Sequence, residues 1–134
     1  MWNFFEQINA LRAIYGNKLP SLEHVDINQI DLITGEDMTI LITFEIADLP
    51  SAMPTKWTNR GVNAVILRLR FVSVEINTFS VSNKNYKDGE VSILENNGVK
   101  CIKFSKDGNL VFDFNAKFLI LDSVVGYQID ADAE

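Results

Sequence analysis

The clearest alternation of apolar and polar residues along the chain runs from Asn63 to Asn77. Its apolar residues first share one parity and then switch to the other: Val65, Leu67, Leu69 and Phe71, then Val72, Val74 and Ile76. Successive side chains of a strand point to opposite faces, so the switch requires an extra residue, a bend or a change of sheet. We therefore predict a central strand with a bulge or corner at Phe71–Val72.

Residues 3–15 carry a helical repeat instead. One apolar stripe at intervals of three and four residues is formed by Phe4, Ile8, Leu11 and Tyr15. Asn3 is a candidate N-cap with Glu6 as its capping-box partner, Gly16 a candidate C-terminal residue, and Pro20 prevents continuation. The stripe is widened by three further apolar residues, Trp2, Phe5 and Ile14. The helix therefore either lies across a sheet or exposes an apolar patch to a partner.

Two strand patterns flank the turn residues Thr34–Asp37. The first runs from Leu22 to Ile33 and changes parity at Asn28–Gln29, which predicts a second bulge. The other runs from Met38 to Ala47 and alternates regularly. The two predict an antiparallel hairpin.

The second half of the chain has three Asp-Gly or Asn-Gly dipeptides at nearly even spacing. Such dipeptides favour type I′ turns, which join paired antiparallel strands. The segments that follow them predict a β-meander: Glu90–Glu95, Val99–Ser105 and Asn109–Ala116. After it, Phe118–Leu121 is apolar on both parities, as in a strand covered on both sides, and a last run through Val124, Val125 and Tyr127 completes the pattern. The whole pattern predicts an α+β fold, with the N-terminal helix packed on a strongly curved, largely antiparallel sheet of about seven or eight strands. This sheet is expected to form a half-barrel or a two-layer sandwich.

The length of 134 residues, 47% hydrophobic and 22% charged, predicts one domain covering 1–134. The net charge of −6 argues against nucleic-acid binding, which needs clustered Lys and Arg. It suits either solubility or a basic protein partner. The single cysteine, Cys101, allows no internal disulfide. We see no secretion signal and no membrane-spanning segment, and expect a cytoplasmic protein.

Candidate chemistry is sparse, and we expect no enzyme, no cofactor and no metal site. His24 is the only histidine, so any Cys-His or Ser-His-Asp arrangement would have to use it. Cys101 lies in a strand pattern, where a cysteine is usually an inert small hydrophobe. Asp26 and Asp113 are the carboxylates that a hydrolase would use, but nothing in the sequence fixes their separation.

Two features suit a partner. Trp57 lies in the irregular segment Asp48–Gly61 next to Arg60, where it either anchors a partner or folds back to plug the core. Arg68 and Arg70 share one face of the central strand. They either pair with cross-strand acids such as Glu45 or grip a carboxylate or phosphate on a partner.

Two groups of residues resemble the immunity protein 50 family of bacterial immunity proteins. The first comprises Trp2, Ile8–Leu11, Ile14–Gly16, Leu19–Leu22, Val25 and Ile27, and the second comprises Pro54–Trp57, Asn63–Val65 and Leu67–Phe71. The resemblance implies a bacterial cytoplasmic protein encoded beside a polymorphic toxin, which it binds and blocks without catalysis. The family offers no motif for toxin contact.

Our candidate partner-binding residues therefore come from residue type alone: Trp57, Arg60, Arg68 and Arg70. Buried aromatic and arginine side chains dominate protein interfaces, and the acidic surplus suits a basic toxin such as a nuclease. The alternative is a small-ligand binding domain that uses the concave face of the curved sheet.

Overall fold

A computed structural model describes residues 1–82 and 86–129. After a 3-10 turn at Trp2–Phe4, the described chain forms two short helices and nine strands: β1 (Phe5–Glu6), α1 (Asn9–Tyr15), β2 (Val25–Ile33), β3 (Thr39–Ile46), α2 (Thr55–Asn59), β4 (Ala64–Val72), β5 (Glu75–Phe79), β6 (Glu90–Asn96), β7 (Val99–Lys106), β8 (Asn109–Ala116) and β9 (Phe118–Tyr127). The protein is therefore mostly β. No helix in these ranges is long and apolar enough to cross a membrane.

The strands form two sheets. The five-stranded sheet has the order β1-β9-β4-β3-β2, and the four-stranded sheet has the order β5-β8-β7-β6. The neighbours are antiparallel except for β1, which runs parallel to β9. The two sheets of the described residues do not close into a barrel.

Two long segments pass from one sheet into the other. β4 leads into β5 through Ser73, whose φ of 58° breaks the strand, and β8 leads into β9 through Lys117. The two crossings are adjacent, since the Lys117 amide donates to the Val72 carbonyl at 3.0 Å. The predicted corner of the central strand is therefore confirmed, and it is a change of sheet, but its predicted position at Phe71–Val72 is wrong because it lies at Ser73–Val74.

The inner faces of both sheets share one core. Phe71 on β4 contacts Phe114 on β8 edge to face, with ring centroids 5.1 Å apart. Other fully buried side chains come from both sheets, among them Phe44, Leu67, Leu69, Ile102, Phe104 and Phe112. Burying one such side chain contributes about 1.5–3 kcal/mol.

The predicted helix over 3–15 is wrong in its first half. Phe5 and Glu6 pair with Leu119 and Ile120 of β9, and the Phe5 ring is buried against Phe71. A strand pairing and core burial thus outweigh the weak stability of an isolated helical turn. Burial of Phe5 and of Trp2, whose indole nitrogen donates to the Pro20 carbonyl at 2.8 Å, also removes most of the exposed patch considered above.

The second half, α1, keeps the predicted stripe. Leu11 and Tyr15 are buried, and Gly16 ends the helix with a φ of 67° and an amide that donates to the Arg12 carbonyl. Asn3 does not cap the helix, because its side-chain oxygen accepts from the N-terminal ammonium group at 2.9 Å.

The predicted hairpins are confirmed, with one exception. β2 and β3 pair around the Thr34–Asp37 turn, with the bulge between Ile27 and Gln29. β6, β7 and β8 form the meander, and both Asn97-Gly98 and Asp107-Gly108 have positive φ at each residue, as type I′ turns require.

The exception is Asp88-Gly89. Among the described residues, no hairpin forms there, because β5 and β6 lie at opposite edges of the four-stranded sheet. Gly89 instead bridges Val25 of the other sheet. A Cβ on Gly89 would lie 2.2 Å from the Phe104 ring, so this glycine is required for the close approach of a core side chain.

Candidate partner-binding face

The outer face of β4 and β9 carries the two central arginines. β4 lies between β3 and β9, and its even-numbered residues point away from the core. With the neighbouring outward residues of β9 they form what we call the arginine face: Ile66, Arg68, Arg70, Phe118, Asp122 and Val125. The predicted shared face of Arg68 and Arg70 is thus confirmed.

A bulge in β9 brings an acid to one of these arginines. Arg68 faces Ser123 while Leu69 faces Leu121, so Asp122 is the extra residue. Bulges redirect side chains in this way. Asp122 accepts a hydrogen bond from Arg70 at 2.8 Å in a partly exposed ion pair.

Arg68 has no such partner. In the described residues its guanidinium forms no ion pair and no hydrogen bond, and its Nε is buried and unsatisfied. Its neighbours across the strands are Thr43 and Ser123, which carry no charge. A buried donor without an acceptor costs about 1–3 kcal/mol, so this arginine lies in an unfavourable environment in the free protein.

The predicted pairing with a cross-strand acid is confirmed for Arg70, which pairs with Asp122, but Glu45 pairs with neither arginine. Glu45 lies opposite Ile66, and its carboxylate accepts a hydrogen bond from the Tyr127 hydroxyl. Burial, this hydrogen bond and the charges of Glu45 and Asp26 together raise the pKa of Tyr127 to about 12, with burial the largest cause. The phenol therefore stays neutral at ordinary pH and fixes Glu45 away from Arg68.

Exposed apolar residues lie at both ends of the arginine face. Phe118 is 51% exposed and lies opposite Val72, and Val125 is 50% exposed and lies opposite Ile66. Between them runs about 23 Å of strand, at about 3.3 Å per residue. An exposed apolar pair around a charged centre is typical of a surface that binds another protein.

Trp57 and Arg60 are placed beside this face and not on it. Trp57 is buried, and its ring lies over Gly126 so closely that a Cβ there would be 2.7 Å away. The indole therefore plugs the end of the core, which leaves it little surface to anchor a partner. Arg60 is exposed and donates to the Gly126 carbonyl at 3.2 Å, which holds α2 against β9.

The other candidate chemistry is dispersed. Asp26 points outward from the five-stranded sheet and Asp113 outward from the four-stranded sheet, so the two carboxylates cannot flank one substrate. His24 is exposed and contacts Asp88 at 2.8 Å, while Cys101 lies on β7 opposite Leu94. Among residues 1–82 and 86–129, no three metal-binding side chains form a cluster.

The interior offers little room for a ligand. Aromatic and aliphatic side chains fill the space between the inner faces of the described sheets. The surface clefts, of about 280 to 500 Å³, are lined mainly by turns and strand ends. One lies around the Asn97-Gly98 turn, and another lies where α1 ends at Gly16.

Comparison with protein families matches residues 8–127 to the family described as Immunity protein 50. The match runs from the start of α1 to the last residue of β9 and contains the whole arginine face. The chain belongs to the immunity protein 50 family. Neither the comparison with curated proteins nor that with solved structures finds a match.

Membership makes the outer surface the natural place to look for function in this immunity protein. The sequence pattern missed the contribution of β9: Phe118, Asp122 and Val125. Apolar residues of both parities at Phe118–Leu121 indicated a strand covered on both sides, whereas Phe118 is half exposed. The register that places β9 beside Arg68 has no local sequence signal.

Proposed function

We propose that this protein binds and neutralises a cognate bacterial toxin encoded nearby, by stoichiometric, non-catalytic inhibition in the cytoplasm. The family match over residues 8–127 carries this proposal. The arginine face is the surface proposed to bind the toxin, with Arg68 and Arg70 at its centre and with Arg60 beside it. Trp57 contributes indirectly, because it packs beneath Gly126 of β9.

The chemistry of the molecule supports an inhibitor. An inhibitor needs a rigid scaffold and a complementary surface, and tight inhibitors bury about 800 Å² per partner around a few anchors. The arginine face combines a free guanidinium with exposed apolar groups on the neighbouring strand β9. The net charge of −6 favours encounter with a basic toxin.

The alternative of a small-ligand binding domain has less support. It needs a cavity on the concave side of the sheet, where the two sheets instead share a filled core. A screen of metabolites that raised the melting temperature would restore it.

The test is co-expression with the toxin reading frame adjacent to this gene. That frame alone should arrest bacterial growth, and co-expression of this protein should restore growth. The purified proteins should form a complex of fixed stoichiometry, and inhibition should be complete only when the two are equimolar. A harmless neighbour, or a toxin that stays active beside this protein, would refute the proposal.

Inhibition at far less than one equivalent would show turnover and so contradict the non-catalytic mechanism. The matched control is the double variant Phe71→Ala, Phe114→Ala, which removes the ring contact between the sheets and should lose both fold and protection.

A further inference from the structure

We infer that Arg68 is the anchor of the arginine face and that it receives an Asp or Glu carboxylate of the toxin, flanked by apolar toxin residues. This inference rests on the proposed function and specifies the partner chemistry of the same surface. Three observations carry it: the unsatisfied guanidinium of Arg68, the ion pair that Asp122 makes with Arg70 and not with Arg68, and the apolar groups on both sides.

The first observation concerns hydrogen bonding. In the described residues Nε of Arg68 is buried without an acceptor, while its two terminal nitrogens have no protein partner and reach solvent. The N–H bonds of the two terminal nitrogens lie parallel in one plane, a geometry that matches the two oxygens of a carboxylate. Because the guanidinium charge is delocalised, a carboxylate docked on this fork also stabilises the charge on the buried Nε.

The second observation concerns selectivity. The β9 bulge supplies one carboxylate, Asp122, to a face with two arginines, and Arg70 takes it. Arg68 and Arg70 are two residues apart on one strand, so a partner meets one neutral pair and one free cation about 7 Å from each other. Because Asp122 is paired with Arg70, Arg68 is left as the arginine of this face that can bind an anion.

The third observation concerns the surroundings. Phe118 and Val125 are exposed on β9, at either side of the polar centre, where β9 pairs with β4 and β1 covers only Leu119 and Ile120 on its other side. A partner that covers both must also cover Arg68 and exclude water from it. Exclusion of water strengthens the ion pair and makes a missing carboxylate costly. This arrangement fits a folded protein better than a free anion.

The test uses the purified toxin from the adjacent reading frame, inactivated by mutation of its active site. Its affinity is measured for four variants of this protein. Arg68→Glu should weaken binding by about 30-fold or more, the minimum for a residue that dominates an interface. Arg68→Lys should give an intermediate loss, because lysine keeps the charge without the fork. Arg70→Gln should weaken binding less than Arg68→Glu does, because it keeps Arg68 but leaves Asp122 without its partner and free to compete with the toxin carboxylate for Arg68.

Arg12→Glu makes the same charge change at an exposed arginine of α1 and should have less than about a threefold effect. Equal loss in Arg12→Glu and Arg68→Glu would show a general charge effect and overturn the inference. Toxin neutralised equally well by Arg68→Glu and by the natural protein would overturn it too, while leaving the proposed function intact. A toxin that the natural protein does not neutralise refutes the function itself.

The melting temperature of the free protein distinguishes a role of Arg68 in binding from a role in stabilising the fold. Arg68→Met keeps the length of the side chain and removes the unsatisfied donor, so the melting temperature of the free protein should stay the same or rise. Binding by this variant should still fall by about 30-fold. A lower melting temperature would show that Arg68 serves the fold, and would overturn its role as a free anchor.

Discussion

The outer faces of the two sheets differ although their inner faces form one core. The five-stranded sheet presents the arginine face, with Phe118 and Val125 exposed on β9 at either side of Arg68. Except for Leu110, which is 43% exposed near the start of β8, the outward residues of the middle strands of the four-stranded sheet are short or polar: Cys101, Lys103, Ser105, Asp113 and Asn115. Its most exposed apolar residue, Leu94 at 65%, lies on the edge strand β6.

Both faces hold one buried, unsatisfied polar atom, Nε of Arg68 and Oδ1 of Asp113. Their surroundings separate them. Asp113 lies opposite Lys103, a cation that can screen it, whereas Arg68 lies between Thr43 and Ser123. An unsatisfied polar atom therefore indicates a binding site only where its neighbours also lack the opposite charge and offer apolar contact.

The largest effect is expected in the core that the two sheets share. Phe71→Ala and Phe114→Ala should each lower the free energy of unfolding by about 3–5 kcal/mol, and their double-mutant cycle should show a coupling of about 0.5–1.5 kcal/mol from the edge-to-face pair. Urea denaturation followed by fluorescence measures both. Two separate transitions, or no coupling, would mean that the sheets are independent units.

A smaller effect is expected on the outer faces, and it tests their difference directly. Val125→Asp and Leu94→Asp both place a carboxylate at a site at least half exposed, so each should change stability by less than about 0.5 kcal/mol. Only Val125→Asp should weaken toxin binding, by about 30-fold or more. Titration calorimetry with the inactive toxin measures this. If Leu94→Asp were the damaging change, the four-stranded sheet would be the binding face.

The smallest effect is expected on the stability of the protein at high pH, and it comes from Tyr127 at the end of β9. Because the folded protein raises the pKa of Tyr127 to about 12, the unfolded chain loses this proton first. The contribution of Tyr127 is therefore complete below the ordinary tyrosine pKa of about 10, and is lost as the pH rises through 12. The stability advantage over Tyr127→Phe should shrink across this range.

Urea denaturation at several pH values measures that advantage. Burial and the charge of Asp48 also raise the pKa of Tyr15, but this side chain is present in both proteins and cancels in the difference. An advantage that stayed constant above pH 10 would contradict the role of the Tyr127–Glu45 hydrogen bond.

The strands of the meander illustrate what local sequence can predict. Asn97-Gly98 and Asp107-Gly108 determine their turns through φ angles that their own residues favour. Alternation then assigns each neighbouring side chain to a face. Asp88-Gly89 has the same chemistry and no hairpin, because the segment after it pairs with β7 and the ring of Phe104 needs the space above Gly89.

The sequence by itself determined the strands of the hairpin and the meander, the change of face along the central strand, the pairing of β2 with β3 and the shared face of Arg68 and Arg70. These follow from rules that act within a few residues. Tertiary structure alone decided that Phe5 joins a sheet, that Trp57 plugs the core, and that Asp122 meets Arg70. Each of these contacts is made with a residue of β9 that is far away in the sequence. The partner is more than 50 positions away for Trp57 and Arg70, and more than 100 positions away for Phe5. Which arginine stays free is therefore settled by the strand that arrives beside it.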